Sequence, residues 1–308
     1  MIATAPGKLI LTGEYAVLDG ATALVIAVNR RAIATAGKPA EQSAFLVAVA
    51  EEMATRFGAD SPPALAARET VVDSAAFYRG AHKLGLGSSA AVTVAATALA
   101  LGTTIDRETI REIAAAAHAG AQGARGARGS GADIAAAIYG GAIAFTGGAG
   151  ASVARLRWPA VTLLACGCGA SADTASLVAQ VVAARAAHPA EVGAALTAIA
   201  EASRSAADAT DGAALIAALA RAAEATDQLA RATGVALVPD SITRARAAIS
   251  ALGGALKTTG AGGGDVAVAV LPITADATIA TQTLIEAGCT PLELTVDDAG
   301  VDLRSAAQ

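Results

Sequence analysis

Apolar residues cluster at Lys8–Thr12 and Ala23–Val28, with Gly13 and the turn dipeptide Asp19-Gly20 between them. This pattern predicts strands within residues 1–36. Leu46, Val49, Met53 and Phe57 recur at helical spacing and predict a helix over Glu41–Phe57, which Ser61-Pro62-Pro63 stops. Thr70–Phe77 reads as a strand. An alanine-rich helix follows over about 88–102. Another runs from Asp106, a candidate N-cap, to His118, and a short one lies near Ala132–Ile138. Ala142–Thr146 and Val153–Trp158 read as strands, and Pro159 marks a break. Beyond it come a buried strand at Val161–Cys166 and three or four helices over about 174–252. A strand–loop–strand follows at Leu256–Leu271, then a helix at Thr274–Ala287 and a strand at Leu292–Val296. Strands and helices mix without a clean βαβ repeat, so the fold class is α+β, with domains expected at 1–157 and 158–308.

Two stretches, Leu84–Ile105 and Ile134–Ala154, carry no charge and are long enough to span a bilayer. The first holds four threonines and the second five glycines, so both are read as buried soluble elements and no membrane partner is expected. The 308-residue chain has a net charge of −5, and no basic stripe is available to neutralise phosphates, so a nucleic-acid partner is excluded. Met1–Lys8 has no basic start followed by an apolar core, so no secretory signal is expected. Three cysteines, few and odd in number, point to a reduced, cytoplasmic protein. Cys166 and Cys168 stand two apart, but no further Cys or His lies nearby in sequence, and they read as packed strand residues. His82, His118 and His188 are scattered and receive no catalytic role.

Four segments carry candidate chemistry. Gly85-Leu86-Gly87-Ser88-Ser89-Ala90-Ala91 is a glycine-rich loop entering a helix. The helix's first N–H groups are unpaired and, with its dipole, form an anion site; a plain helix cap is the alternative. The Walker A pattern is absent. Gly85, Gly87 and Ala90 meet the dinucleotide fingerprint formally, with Asp106 downstream, but Arg79–Lys83 is not a buried strand and Asp106 begins a helix. Lys257–Asp265 packs four glycines into five positions, which calls for a close backbone approach. Lys8 opens an apolar strand, where a charge needs a partner or a ligand. Asp133 falls in the first turn of a helix, as a cap or as a functional carboxylate.

In order and separation these segments resemble the GHMP kinase superfamily, and the resemblance covers nearly the whole chain. It implies an N-terminal domain like domain 2 of ribosomal protein S5. A smaller ferredoxin-like α/β-sandwich domain would follow, with ATP and acceptor meeting in the cleft between the two. Within the superfamily the likeness is greatest to the phosphomevalonate kinases, through Gly13–Leu18, His82-Lys83-Leu84, Ser130–Asp133 running into Tyr139-Gly140-Gly141, and Gly260–Asp265.

The implied reaction moves the γ-phosphoryl group of Mg-ATP to 5-phosphomevalonate, in the mevalonate route to isoprenoid precursors. A kinase acting on a hydroxyl such as mevalonate's, an ATP-dependent decarboxylase and a non-catalytic ligand-binding homologue are the alternatives. The resemblance assigns Lys8 to the transferring group and Asp133 to the acceptor. Lys83, Gly85, Leu86, Gly87, Ser88, Ser89 and Ala90 would bind ATP, and Ser88 and Ser89 are the candidates for Mg2+. Glu14, Tyr15, Arg125, Arg128, Ser130, Gly131, Gly260, Ala261, Gly262 and Gly263 would surround a small-molecule acceptor. Three departures stand out: Arg125–Gly129 reads as a three-residue insertion, the segment Cys166–Thr174 lacks the tryptophan of the family's Trp-Thr-Gly sequence, and Asp173 occupies a position where the family commonly has serine. The chain is expected to act as a monomer or homodimer.

Overall fold

The first apolar run forms β1 (Ile2–Thr12), and the second extends to β2 (Thr22–Ala36). The computed structural model describes residues 1–38, 41–102, 106–124, 129–148, 150–169 and 173–305. Two compact units share it. One holds Met1–Lys8, Ile26–Gly141 and the segment from Val296 on; the other holds Leu9–Val25 and Ala142–Thr295. The units therefore interleave along the sequence, and β1 and β2 each contribute residues to both.

In the first unit the helix predicted before residue 57 forms α1 (Ala44–Phe57), capped by the Ser43 hydroxyl. Ser61-Pro62-Pro63 does more than stop it. Ser61 Oγ caps a further helix, α2 (Pro62–Arg68), whose first two positions are the prolines. Proline suits a first turn because its missing N–H would have had no helical acceptor there. The strand expected over Thr70–Phe77 ends early, as β3 (Thr70–Asp73), because the chain tightens into a 3-10 turn at Ala75–Phe77. An exposed two-residue hairpin, β4 (Tyr78–Arg79) and β5 (His82–Lys83), leads to α3 (Ser88–Leu101). Then come α4 (Arg107–Gly123) and α5 (Ala132–Tyr139). Asp106 caps α4 by accepting from the backbone N–H groups of Glu108 and Thr109 at 2.8 and 3.0 Å, which satisfies two N–H groups that have no acceptor within the helix.

Helix α3 is the core of this unit. All of its residues from Ala90 to Leu101 except Val92 are buried, and it packs against α1, α2, α4 and α5. Alanine at most of those positions lets four helices approach closely; larger side chains would overpack them. The sheet of this unit pairs β2 with β3 and places β1 between β2 and β12 (Asp302–Arg304), with Ile2 opposite Arg304. Strand β12 is not evident from the sequence. Arg31 secures its approach by donating to the Asp297 carboxylate and the Gly300 carbonyl.

In the second unit β6 (Ala142–Thr146) lies beside β2 and pairs with β7 (Ser152–Leu156). Next come β8 (Val161–Gly167), four helices, α6 (Thr174–Ala187), α7 (Pro189–Ala207), α8 (Gly212–Thr233) and α9 (Asp240–Ala251), and then β9 (Ala255–Thr258) and β10 (Val266–Pro272). α10 (Ala277–Glu286) and β11 (Thr290–Leu292) complete the unit. A four-stranded antiparallel sheet, β11-β8-β10-β9, packs one face on α9 and α10. The last strand lies earlier than Leu292–Val296 because its pairing with β8 puts Thr290 opposite Gly167 and Leu292 opposite Ala165.

Cys166 and Cys289 are buried in that core with Cys168 against it, which agrees with a packing role. Asp173 caps α6 by accepting from Ala175 and Ser176 N–H. No helix among the described residues is long and apolar enough to cross a membrane.

Candidate active site

The glycine-rich loop is built by docking it onto the first strand. Leu86 is fully buried and anchors it, a burial that contributes about 1.5–3 kcal/mol. The Leu86 carbonyl accepts from Lys8 N–H at 2.8 Å. A Cβ at Gly7 would stand 2.6 Å from the Leu86 carbonyl oxygen, so only glycine permits this approach. Gly85 and Gly87 take φ of +70° and +76°, and Gly87 opens α3 in the left-handed conformation with no side-chain cap. The first-turn N–H groups therefore face the loop, with the positive end of the helix dipole behind them. The stem of Lys8 lies across the same turn: a Cβ at Gly87 would be 3.0 Å from both Cγ and Cε of Lys8.

From this turn the polar contacts pass to a second helix start. Ser88 is buried and Ser89 half-buried. Ser89 Oγ is 3.1 Å from Nε2 of His118. The His118 ring lies inside the apolar stripe of α4 and stacks on Phe45 with a centroid separation of 5.1 Å. The same Nε2 is 3.9 Å from Oδ2 of Asp133, in the first turn of α5. Gly131 opens α5 at φ +85°, and Ser130 Oγ accepts from Ala132 N–H at 3.3 Å. Two helix N-termini, a lysine stem, a hydroxyl and a carboxylate thus lie within one unit, with a histidine between hydroxyl and carboxylate. Sequence reasoning assigned His118 no part in this. Its signal was its position, a histidine on the buried face marked by Ile110, Ile113, Ala114, Ala117 and Ala121.

Other candidate residues stand elsewhere. Lys83 is exposed on β5 opposite Tyr78. Arg125 and Arg128 lie outside the described residues. Glu14, Tyr15 and Gly260–Gly263 meet in the second unit. Lys257, fully buried on β9, donates its Nζ to the Glu14 carboxylate and to the Thr258 carbonyl. Tyr15, at φ +61°, donates its hydroxyl to the Ala261 carbonyl at 2.6 Å. Burial, and then the Glu14 charge, push its phenol well above the ordinary value. Gly260 N–H donates to the Ile10 carbonyl at 3.2 Å and Gly263 N–H to the Leu237 carbonyl at 2.8 Å. A Cβ at Gly262, itself at φ +79°, would stand 2.4 Å from the Leu237 oxygen. What these glycines approach closely includes the chain's own backbone.

The hydroxyls of Ser88 and Ser89 and the Asp133 carboxylate are hard oxygen donors, the chemistry that Mg2+ selects. Among the described residues no group of three or more His, Cys, Asp or Glu forms a metal cage.

Comparison with known proteins bears on this geometry directly. Residues 44–141, which include the loop, His118 and Asp133, match the profile described as GHMP kinases N terminal domain. The GHMP kinases are ATP-dependent kinases. Among solved structures, a Lin0012 protein from Listeria innocua has a TM-score of 0.82 at 23% identity, covering 99% of this chain and 100% of that one. Streptococcus pneumoniae phosphomevalonate kinase in complex with phosphomevalonate and AMPPNP has 0.77 at 17%, covering 96% and 99%. L. major mevalonate kinase in complex with R-mevalonate has 0.67 at 18%, covering 92% and 90%. These likenesses establish the fold, a mixed α/β two-domain architecture shared with GHMP kinases. Among curated proteins none matches the sequence.

Proposed function

We propose that the protein is an ATP-dependent small-molecule kinase whose acceptor is 5-phosphomevalonate. The observation that carries this reading is the meeting, within the GHMP kinase N-terminal domain and β1, of an uncapped helix N-terminus crossed by the Lys8 stem and a carboxylate at the start of α5. In this reading the N–H groups and hydroxyls of Gly85–Ser89 hold the ATP phosphates. The Lys8 ammonium neutralises charge on the transferred group. Asp133 orients the acceptor oxygen, which attacks the γ-phosphorus as the bond to the β,γ-bridging oxygen breaks and ADP departs. A phosphate acceptor is already ionised near neutral pH, so Asp133 has to position it more than deprotonate it. The Ser88 hydroxyl would hold Mg2+, which when bound neutralises phosphate charge.

The choice of phosphomevalonate is supported by the sequence likeness around Gly13–Leu18 and Gly260–Asp265, and by the fold likeness to the Streptococcus enzyme. The test is ADP release from ATP in the presence of 5-phosphomevalonate or mevalonate, with CO2 and orthophosphate followed in parallel. We expect ADP with 5-phosphomevalonate and no CO2. Turnover of mevalonate alone would move the acceptor to a hydroxyl, and CO2 release would make the protein a decarboxylase. Lys8→Ala and Asp133→Ala should each lower kcat by about 10²–10⁴-fold with folding intact. If neither does, the assignment of roles is wrong.

A further inference from the structure

His118 occupies a place where packing alone asks for an apolar ring. It is 3% exposed, on the buried stripe of α4, stacked on Phe45 of α1. A phenylalanine would satisfy that stack without the cost of burying two polar nitrogens. What phenylalanine cannot do is set a polar atom between the first turn of α3 and the first turn of α5. His118 does so with one atom, Nε2, 3.1 Å from Ser89 Oγ and 3.9 Å from Asp133 Oδ2.

The two neighbours decide which form the neutral ring takes. An ionised carboxylate oxygen near Nε2 repels a lone pair on that nitrogen and favours an N–H there. With the proton on Nε2, the ring donates to Ser89 Oγ and the serine accepts. Ser89's own O–H is then spared for an acceptor in front of α3. With the tautomers reversed, the serine proton would be spent on the ring and the hydroxyl would face the loop as an acceptor only. For a site that must hold phosphate oxygens, the first arrangement is the useful one.

We propose that His118 is a positioning residue of the phosphate site: through an Nε2–H, favoured by the nearby Asp133 carboxylate, it orients the Ser89 hydroxyl as a donor toward phosphate. The proposal deepens the kinase reading and rests on it for what the loop and the carboxylate hold. Its geometry belongs to the first unit alone.

Two measurements test it. In the wild-type protein, long-range 15N–1H NMR of the imidazole reads the tautomer without any turnover. We expect the Nε2–H form, with ring shifts that move in Ser89→Ala. A ring protonated on Nδ1 alone, or one indifferent to Ser89→Ala, overturns the proposal. The second measurement is kinetic. His118→Phe keeps the stack and should lower kcat about 10- to 100-fold, with the KM for ATP changed less than about threefold, as loss of orientation predicts. His118→Gln, whose amide N–H can reach the same hydroxyl, should recover at least about tenfold of a hundredfold loss. Wild-type kcat in His118→Phe, or a folded His118→Gln as slow as His118→Phe, overturns the proposal. If the wild type transfers no phosphoryl group to any acceptor, the kinase reading fails by itself, and the ring spectrum still decides what His118 does.

Discussion

The loop at Gly85–Ser89 and the loop at Gly260–Gly264 are both rich in glycine at positive φ, and they spend that freedom differently. At Gly85 and Gly87 the backbone turns so that a helix begins with uncapped N–H groups, and what crosses the turn is the stem of a charged side chain. At Gly260, Gly262 and Gly263 the backbone turns so that its N–H groups and Cα positions fit against Ile10 and Leu237, with Lys257–Glu14 and Tyr15–Ala261 fastening the flanks. A glycine run therefore records a close approach without saying to what. The flanking charge separates the cases: Lys8 is half-buried at its turn, whereas Lys257 is fully buried on a carboxylate.

Substitutions can break or sharpen that contrast. Lys257→Met should have the largest effect on stability. It leaves the Glu14 carboxylate buried without its partner and should cost about 3–5 kcal/mol in urea unfolding. Glu14→Leu added to Lys257→Met should restore much of that loss; a double variant weaker than the single one would mean the pair does more than neutralise itself. Next is Gly262→Ala, whose Cβ meets the Leu237 carbonyl oxygen. Stability should fall by about 2–4 kcal/mol through strain at positive φ and a backbone clash. Gly87→Ala should cost only about 1–2 kcal/mol of stability, because the group it meets is a flexible lysine stem. Titration with a nonhydrolysable ATP analogue should show its main effect as weaker nucleotide binding. Equal effects of the two glycine variants on binding and on unfolding would erase the contrast.

The smallest effect is at Tyr15. Tyr15→Phe removes one hydrogen bond and should cost about 1 kcal/mol at neutral pH. The phenol is raised in the folded protein, so its contribution is complete below about pH 10, where the unfolded chain begins to ionise, and is lost as pH climbs above that value. Wild type should therefore lose stability faster than Tyr15→Phe between about pH 10 and 12. Tyr139, whose phenol is pushed up to about 12, is present in both proteins and cancels from the comparison.

How much of this was legible in the sequence depends on how far each feature reaches along the chain. The strand at Lys8–Thr12, the helix after Gly87 and the Asp106 cap depend on neighbours a few residues away, and the apolar pattern exposes them. Ser61-Pro62-Pro63 was ambiguous because the same residues that end one helix can begin another. Strand β12 has three residues and exists because β1 offers an unpaired edge. At the candidate site the loop and Asp133 were readable as local motifs. His118 was not: its partners lie 29 and 15 residues away, on helices whose packing brings the three together. Glu14 and Lys257, 243 residues apart, show the same limit at greater range. A charge within an apolar strand signals that a partner is required, and only the fold says which.

The return of the chain to β1 through Arg31, Asp297 and β12 has a consequence for biogenesis. The unit that bears the loop at Gly85–Ser89 lacks its edge strand until residues 302–304 emerge from the ribosome, after all of the other unit has been translated. The nascent polypeptide must carry an unfinished sheet beneath the glycine-rich loop until residues 302–304 pair with β1.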